Sequence, residues 1–219
     1  FENLEKFAFY TDLKELFEQK GETIEAALEN QEYAKVLHNL LDDDGLNYGK
    51  LPKALLRFHS YAHGSRYAIE EHLVEGVYYA CDQDGNVFLH FTVSPEHIML
   101  VSELMDELVP SYEEAFKVKF DIEYSIQKPE TDTIAVDLDN QPFRLDNGEI
   151  LFRPAGHGAL IENLNDLDYD IAYIKNIDNI VPDHLRESTY VYKQVIGALL
   201  IKRMQQVNSY LGKIEGNDY

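Results

Sequence analysis

Residues 87–93, VFLHFTV, decide how this chain reads. β-branched and aromatic side chains dominate the run, and the Asp84-Gly85 turn stands before it, so a strand is expected. Ser94 and Pro95 follow directly: Ser suits a helix N-cap, and Pro suits the first helical turn. The helix this starts should run to about Leu108. Residues 120–126, FDIEYSI, then read as the next strand. Strand, helix, strand over some forty residues is the pattern of a parallel crossover unit.

Working outward, the same alternation is expected on both sides. Residues 54–58 read as a short apolar strand, and 68–79 as a helix with Ile69, Leu73, Val74 and Val77 on one face. Residues 137–151 read as a polar hairpin excursion around Asn147-Gly148. A loop at 153–158 should lead into a helix through Leu164. The run DIAYIKNI, 170–177, is the best strand candidate of the chain, and a long helix should follow Pro182. The first 41 residues read as helical, with Leu4, Phe7, Leu13, Leu16 and Phe17 at helical spacing, closed by the acidic turn Asp42-Asp43-Asp44-Gly45. The expected fold is therefore α/β: a doubly wound, mainly parallel sheet over 46–219, with 1–45 as an N-terminal helical appendage.

Composition narrows the functional classes. Nineteen Lys and Arg stand against 40 Asp and Glu, a net charge of −21, so no extended basic face is available for a nucleic acid. A phosphate ligand would need a metal ion or a few well-placed cations to offset repulsion. No apolar run approaches the ~20 residues of a membrane helix. The single Cys81 excludes an internal disulfide and a thiolate metal cluster, and fits a reducing, cytoplasmic setting.

Several motif readings fail on spacing. Gly45 to Leu51 resembles a phosphate-binding loop, but it is one residue short and has no Ser or Thr after Lys50. Asp166, Asp168 and Asp170 resemble a calcium loop, yet Ile171 stands where Gly is required. Neither H-E-x-x-H nor G-x-S-x-G occurs, and His59, His63, His72, His90 and His97 show no convergent spacing.

Three segments keep a chemical reading. Lys53, just before an apolar stretch, can reach an anion at a sheet edge, although a solvated loop lysine has the same sequence. Gly156-His157-Gly158 leads into a helix, where backbone can approach a ligand and N–H groups favour anions; an ordinary glycine turn reads the same way. Asn176-Ile177-Asp178-Asn179 ends an apolar run with a carboxylate suited to Mg²⁺, or to capping the next helix.

In order, LPKALL, AIEEHL, HFTVSPEH, QKPETDTIA, RPAGHGALIENL and IKNIDNIV resemble the sugar-phosphate nucleotidyltransferases, the nucleotide-sugar pyrophosphorylases. The likeness is strongest to the bacterial branch catalogued as domain of unknown function 4301, and it runs from about Lys50 to Asn179. It implies that Lys53 contacts phosphates, and that Gly156, His157 and Gly158 contact nucleoside and sugar. It implies that Asp178 binds the divalent metal, Mg²⁺, with Asn176 and Asn179 beside it. Gln127 falls near the expected base-recognising residue, with Thr133 close by. The implied reaction joins a nucleoside triphosphate and a sugar 1-phosphate and releases pyrophosphate.

The glycine-rich phosphate loop expected before Lys53 has no counterpart, and the sugar-binding half after Asp178 is short. The chain is therefore expected to be the middle of a longer enzyme, whose isolated piece turns over poorly. Two other readings stand beside this one. One is a non-catalytic acidic domain that binds a nucleotide sugar or a protein. The other is a glycosyltransferase using Asp137-Leu138-Asp139 as a D-x-D metal motif.

Overall fold

The computed structural model describes residues 1–215, without the side chains of His157 and Glu215. Helices dominate it. In chain order they are α1 (Tyr10–Gln19), α2 (Ile24–Glu29), α3 (Tyr33–Leu41), α4 (Ala68–Tyr79), α5 (Ile98–Phe116), α6 (Ile161–Asn165) and α7 (Glu187–Glu215). The strands are β1 (Arg57–Tyr61), β2 (Gly64–Tyr67), β3 (Asn86–Thr92), β4 (Lys119–Ser125), β5 (Thr133–Ile134) and β6 (Phe152–Arg153).

They form three separate two-stranded sheets, so the expected doubly wound, mainly parallel sheet is not present. Among the described residues only β3 and β4 pair in parallel, joined across α5. The other two pairs are antiparallel, β1 with β2 and β5 with β6. The strand expected at 54–58 is replaced by a 3₁₀ turn, Lys53–Leu55, leading into the β1–β2 hairpin.

The segment 170–177 is a more instructive correction. It makes no ladder, although the run is extended and its exposure alternates residue by residue. Ile171, Tyr173, Lys175 and Ile177 face inward. Their partner is a helix. Tyr173 packs on Tyr79, Lys175 pairs with Glu75 at 2.6 Å, and the carbonyl of Ile177 accepts from His72 Nε2 at 3.0 Å. Residues 72, 75 and 79 lie along one face of α4, and 173, 175 and 177 along one face of an extended chain. Seven helical residues and four extended ones cover about the same distance, roughly 10 and 13 Å. Alternation thus reports an extended, half-buried chain and does not identify what it lies against.

Two apolar cores result. Leu4, Leu13, Phe17, Ile24, Ala27 and Val36 close the α1–α3 unit, where Thr23 caps α2 by accepting from the Ala26 N–H. Leu55, Ile69, Leu73, Val101 and Met105 form the second core, under the inner face of β3–β4. An Arg57–Asp12 ion pair at 2.8 Å joins the two regions.

α4 is the centre of the second region. Its first eleven residues include three buried carboxylates, Glu70, Glu71 and Glu75. Each is partnered. Glu70 accepts from the Tyr67 N–H at 2.9 Å and from the Tyr112 hydroxyl at 2.6 Å. Glu71 accepts from the Tyr61 hydroxyl at 2.6 Å, meets His59 Nδ1 at 2.8 Å, and pairs with the fully buried Arg186. A buried carboxylate stripe on a helix is tolerable only with such partners. No described helix is long and apolar enough to cross a membrane.

Candidate functional site

The sequence-predicted residues fall into two groups. The first is Lys53 with Asp178. Lys53 stands at the start of the 3₁₀ turn that buries Leu55 in the second core. Asp178 follows directly on Ile177, where the extended segment leaves α4, in a turn closed by the Asn179 N–H donating to the Asn176 carbonyl at 3.0 Å. The packing of Leu55 on one side and Ile177 on the other brings the two ends together. Lys53 Nζ and Asp178 Oδ2 form an ion pair on the surface, with side chains 63% and 39% exposed. The hydrogen bond from Lys53, and its charge, hold the Asp178 carboxyl below the usual carboxylate range. Asp178 is therefore ionised at neutral pH. Asn176 and Asn179 are both exposed beside it.

The second group lies at the carboxyl end of the β3–β4 pair, where parallel strands deliver polar side chains. On the outer face of this pair sit His90 and Thr92 of β3, opposite Glu123 and Ser125 of β4. Ser125 Oγ is a hub: His90 Nε2 at 2.8 Å, Thr92 Oγ1 at 3.1 Å and Asn163 Nδ2 at 2.9 Å all meet it. Asn163, on α6, also donates to the Ile126 carbonyl at 2.9 Å. Its Oδ1 is left buried without a partner, and so is Nε2 of Gln127. An orphaned acceptor and an orphaned donor, one residue beyond Ile126 and one bonded to it, point to a polar ligand edge.

Sequence reasoning missed this network, because no local motif links residues 90, 92, 125 and 163. The strand alternation places 90 and 92 on one face, and that was legible; the parallel register that sets them against 123 and 125 was not. The order Ser125, His90, Glu123 resembles a nucleophile, base and acid. Here Glu123 stands 3.5 Å from His90 Nδ1 on a half-exposed side chain, and Ser125 Oγ is fully engaged. The cluster acts to orient Asn163.

Thr133 and the glycine loop lie on the chain between Gln127 and Asn163. Thr133 in β5 pairs with Arg153 in β6, three residues before Gly156. Gly156 and Gly158 are exposed, and neither would meet an atom within 4 Å if it carried a Cβ. The backbone there is open to solvent. The backbone of His157 lies in the 3₁₀ turn His157–Leu160 that leads into α6, and its side chain lies outside the described residues. No hydrogen bond or ion pair among the described residues links the Lys53–Asp178 group to the Gln127–Asn163 group.

Other motifs are spent on structure. Asp137 Oδ1 accepts the N–H groups of Asp139 and Gln141, both at 2.9 Å, so the D-x-D carboxylate holds a turn. Lys50 pairs with Asp43, and Asp166 with Lys128. Among the described residues, no group of three or more His, Cys, Asp or Glu side chains is placed to hold a metal. An all-protein metal cage does not fit. Asp178 does fit the mode in which Mg²⁺ takes one carboxylate and completes its shell with water and ligand phosphates.

A mainly helical domain, with one parallel crossover and polar groups gathered at its carboxyl end, is the class that fold and site define. The chain belongs to the family described as "Domain of unknown function (DUF4301)", whose profile matches residues 1–219. No curated protein and no solved structure matches it.

Proposed function

We propose that this chain carries the phosphate- and base-binding surfaces of a cytoplasmic sugar-1-phosphate nucleotidyltransferase. The observation that carries the reading is the meeting of Lys53 and Asp178 across 125 positions of chain. Both are exposed, and each is anchored by an apolar neighbour in the same core. A cation and an ionised carboxylate held side by side can divide between them the phosphates and the Mg²⁺ of a nucleoside triphosphate. The unpartnered Gln127 Nε2 supports a donor role toward a base carbonyl.

In this reading a phosphate oxygen of the sugar 1-phosphate attacks the α-phosphorus. The bond from that phosphorus to the bridging oxygen of pyrophosphate breaks. The attacking oxygen is already ionised, so no protein base is needed, and Lys53 turns from Asp178 to the negative oxygens that develop charge. Bound Mg²⁺ would supply further charge neutralisation at Asp178. The test is pyrophosphate release from a panel of nucleoside triphosphates and sugar 1-phosphates with Mg²⁺, wild type against Asp178→Asn. The expected outcome, in the full-length protein, is turnover with at least one pair, and most of it lost in the variant.

A second reading is binding of a nucleotide sugar without turnover. It is favoured by the Lys53–Asp178 pair being closed on itself, in a chain of net charge −21 with little other positive field. Saturable nucleotide-sugar binding by calorimetry, with no pyrophosphate from any pair, would select it.

A further inference from the structure

The C-terminal half of α7 exposes a run of large apolar side chains, Leu199, Leu200, Val207, Tyr210, Leu211 and Ile214 among them. The helix is anchored at its start by Arg186, fully buried against Glu71, and by Gln194, which donates to the Tyr78 carbonyl at 2.7 Å. Gly197 is its last buried residue. Tyr173 lies so close over it that a Cβ there would meet the phenolic oxygen at 2.0 Å. Beyond Gly197 every residue whose side chain is described is exposed, except the half-buried Met204. Eighteen residues of helix, about 27 Å, leave the body with no packing to hold them. An isolated helix of that length is marginal in water.

Its sequence is patterned for a partner. Leu200, Met204, Val207, Leu211 and Ile214 follow one another at spacings of four, three, four and three, the seam of a helix pair. Leu199 and Tyr210 widen the stripe on one flank, while Lys202, Gln205, Gln206, Ser209 and Lys213 take the opposite face. Four cations and two carboxylates give α7 a net charge of +2, which leaves −23 on the remainder of the chain.

We infer that this stripe pairs with the same stripe of a second copy, antiparallel, with Leu200 against Leu211 and Met204 against Val207. The heptad seam calls for a second helix, which another copy of this chain supplies, and charge selects the direction. A parallel pair would set two strongly acidic bodies side by side. An antiparallel pair holds them at opposite ends of the seam, roughly 26 Å apart and well beyond the ~8 Å screening length of physiological salt. An anionic bilayer would repel the same bodies. Two such stripes bury on the order of 1,000 Å² together, the lower bound of a specific interface, and a two-fold pair is self-complementary by construction.

Sedimentation of the chain over a micromolar concentration series is expected to show a reversible monomer–dimer equilibrium. Leu200→Glu combined with Leu211→Glu should leave only monomer, with the ellipticity of the body retained. Orientation is read by oxidation in a Cys81→Ser background. Leu200→Cys mixed with Leu211→Cys should cross-link, whereas Leu200→Cys alone should not. A wild-type chain that stays monomeric, or a dimer that survives the double Glu substitution, overturns the pairing. Self-cross-linking of Leu200→Cys overturns the antiparallel direction. Monomer that floats with phosphatidylglycerol vesicles would assign the stripe to a bilayer instead.

Discussion

Lys53 and Asp178 meet because half-buried Ile177 packs against the core in which Leu55 is buried, and the pair is the surface consequence of that packing. Exposed ion pairs contribute little to stability. Substituting either residue should therefore change ligand handling and leave the fold intact. Lys53→Ala is expected to lower the rate of pyrophosphate release roughly 10²-fold, as loss of a charge-stabilising group does. Its thermal midpoint should match wild type, and a large fall in that midpoint would argue that the pair is structural.

Glu71 and Arg186 make the opposite case, since both side chains are fully buried. Arg186→Leu leaves the Glu71 carboxylate facing only His59, Tyr61 and Arg66. Breaking such a pair typically costs about 3–5 kcal/mol. Replacing both partners with Met should cost clearly less than Arg186→Leu alone. Denaturant unfolding of the three proteins checks the ordering.

Lys175→Met tests the contact between the extended segment and α4. It removes the cation from fully buried Glu75, whose Oε2 already has no partner. A loss of about 3 kcal/mol is expected from leaving that carboxylate paired only with the Tyr79 hydroxyl. Hydrogen exchange should rise first across residues 171–177. Uniform acceleration over the whole chain would contradict a local anchor.

The pH dependence follows from His72. Burial pushes its pKa below 6.5, and the nearby Lys175 and Arg186 charges act in the same direction, opposed by Glu75 and by the bond to the Ile177 carbonyl. The native state thus favours the neutral ring. That contribution is complete above pH 6.5 and is lost as pH falls toward the lower folded value. Thermal midpoints measured downward from pH 6.5 should fall less steeply in His72→Asn than in wild type. Equal slopes would remove His72 from the acid response.

Helical spacing was sufficient for α1 to α3 and for α4, because each buries an apolar stripe at the 3.6-residue period, while the helix after Pro182 forms with its apolar stripe left exposed. The β3–α5–β4 unit was equally legible in VFLHFTV, Ser94-Pro95 and FDIEYSI. Residues 170–177 were not, since period two reports an extended chain whether it lies against a strand or a helix.

By itself, then, the sequence determined most local elements and the acidic charge, both of which depend on near neighbours in the chain or on composition alone, whereas Gln127 entered only through the family resemblance. Tertiary structure alone decided that no broad sheet forms among the described residues, that Lys53 faces Asp178, that Glu71 is buried against Arg186, and that Ser125 gathers His90 and Asn163. Those outcomes depend on which buried surfaces fit together over separations of tens to more than a hundred residues. No local period encodes that fit.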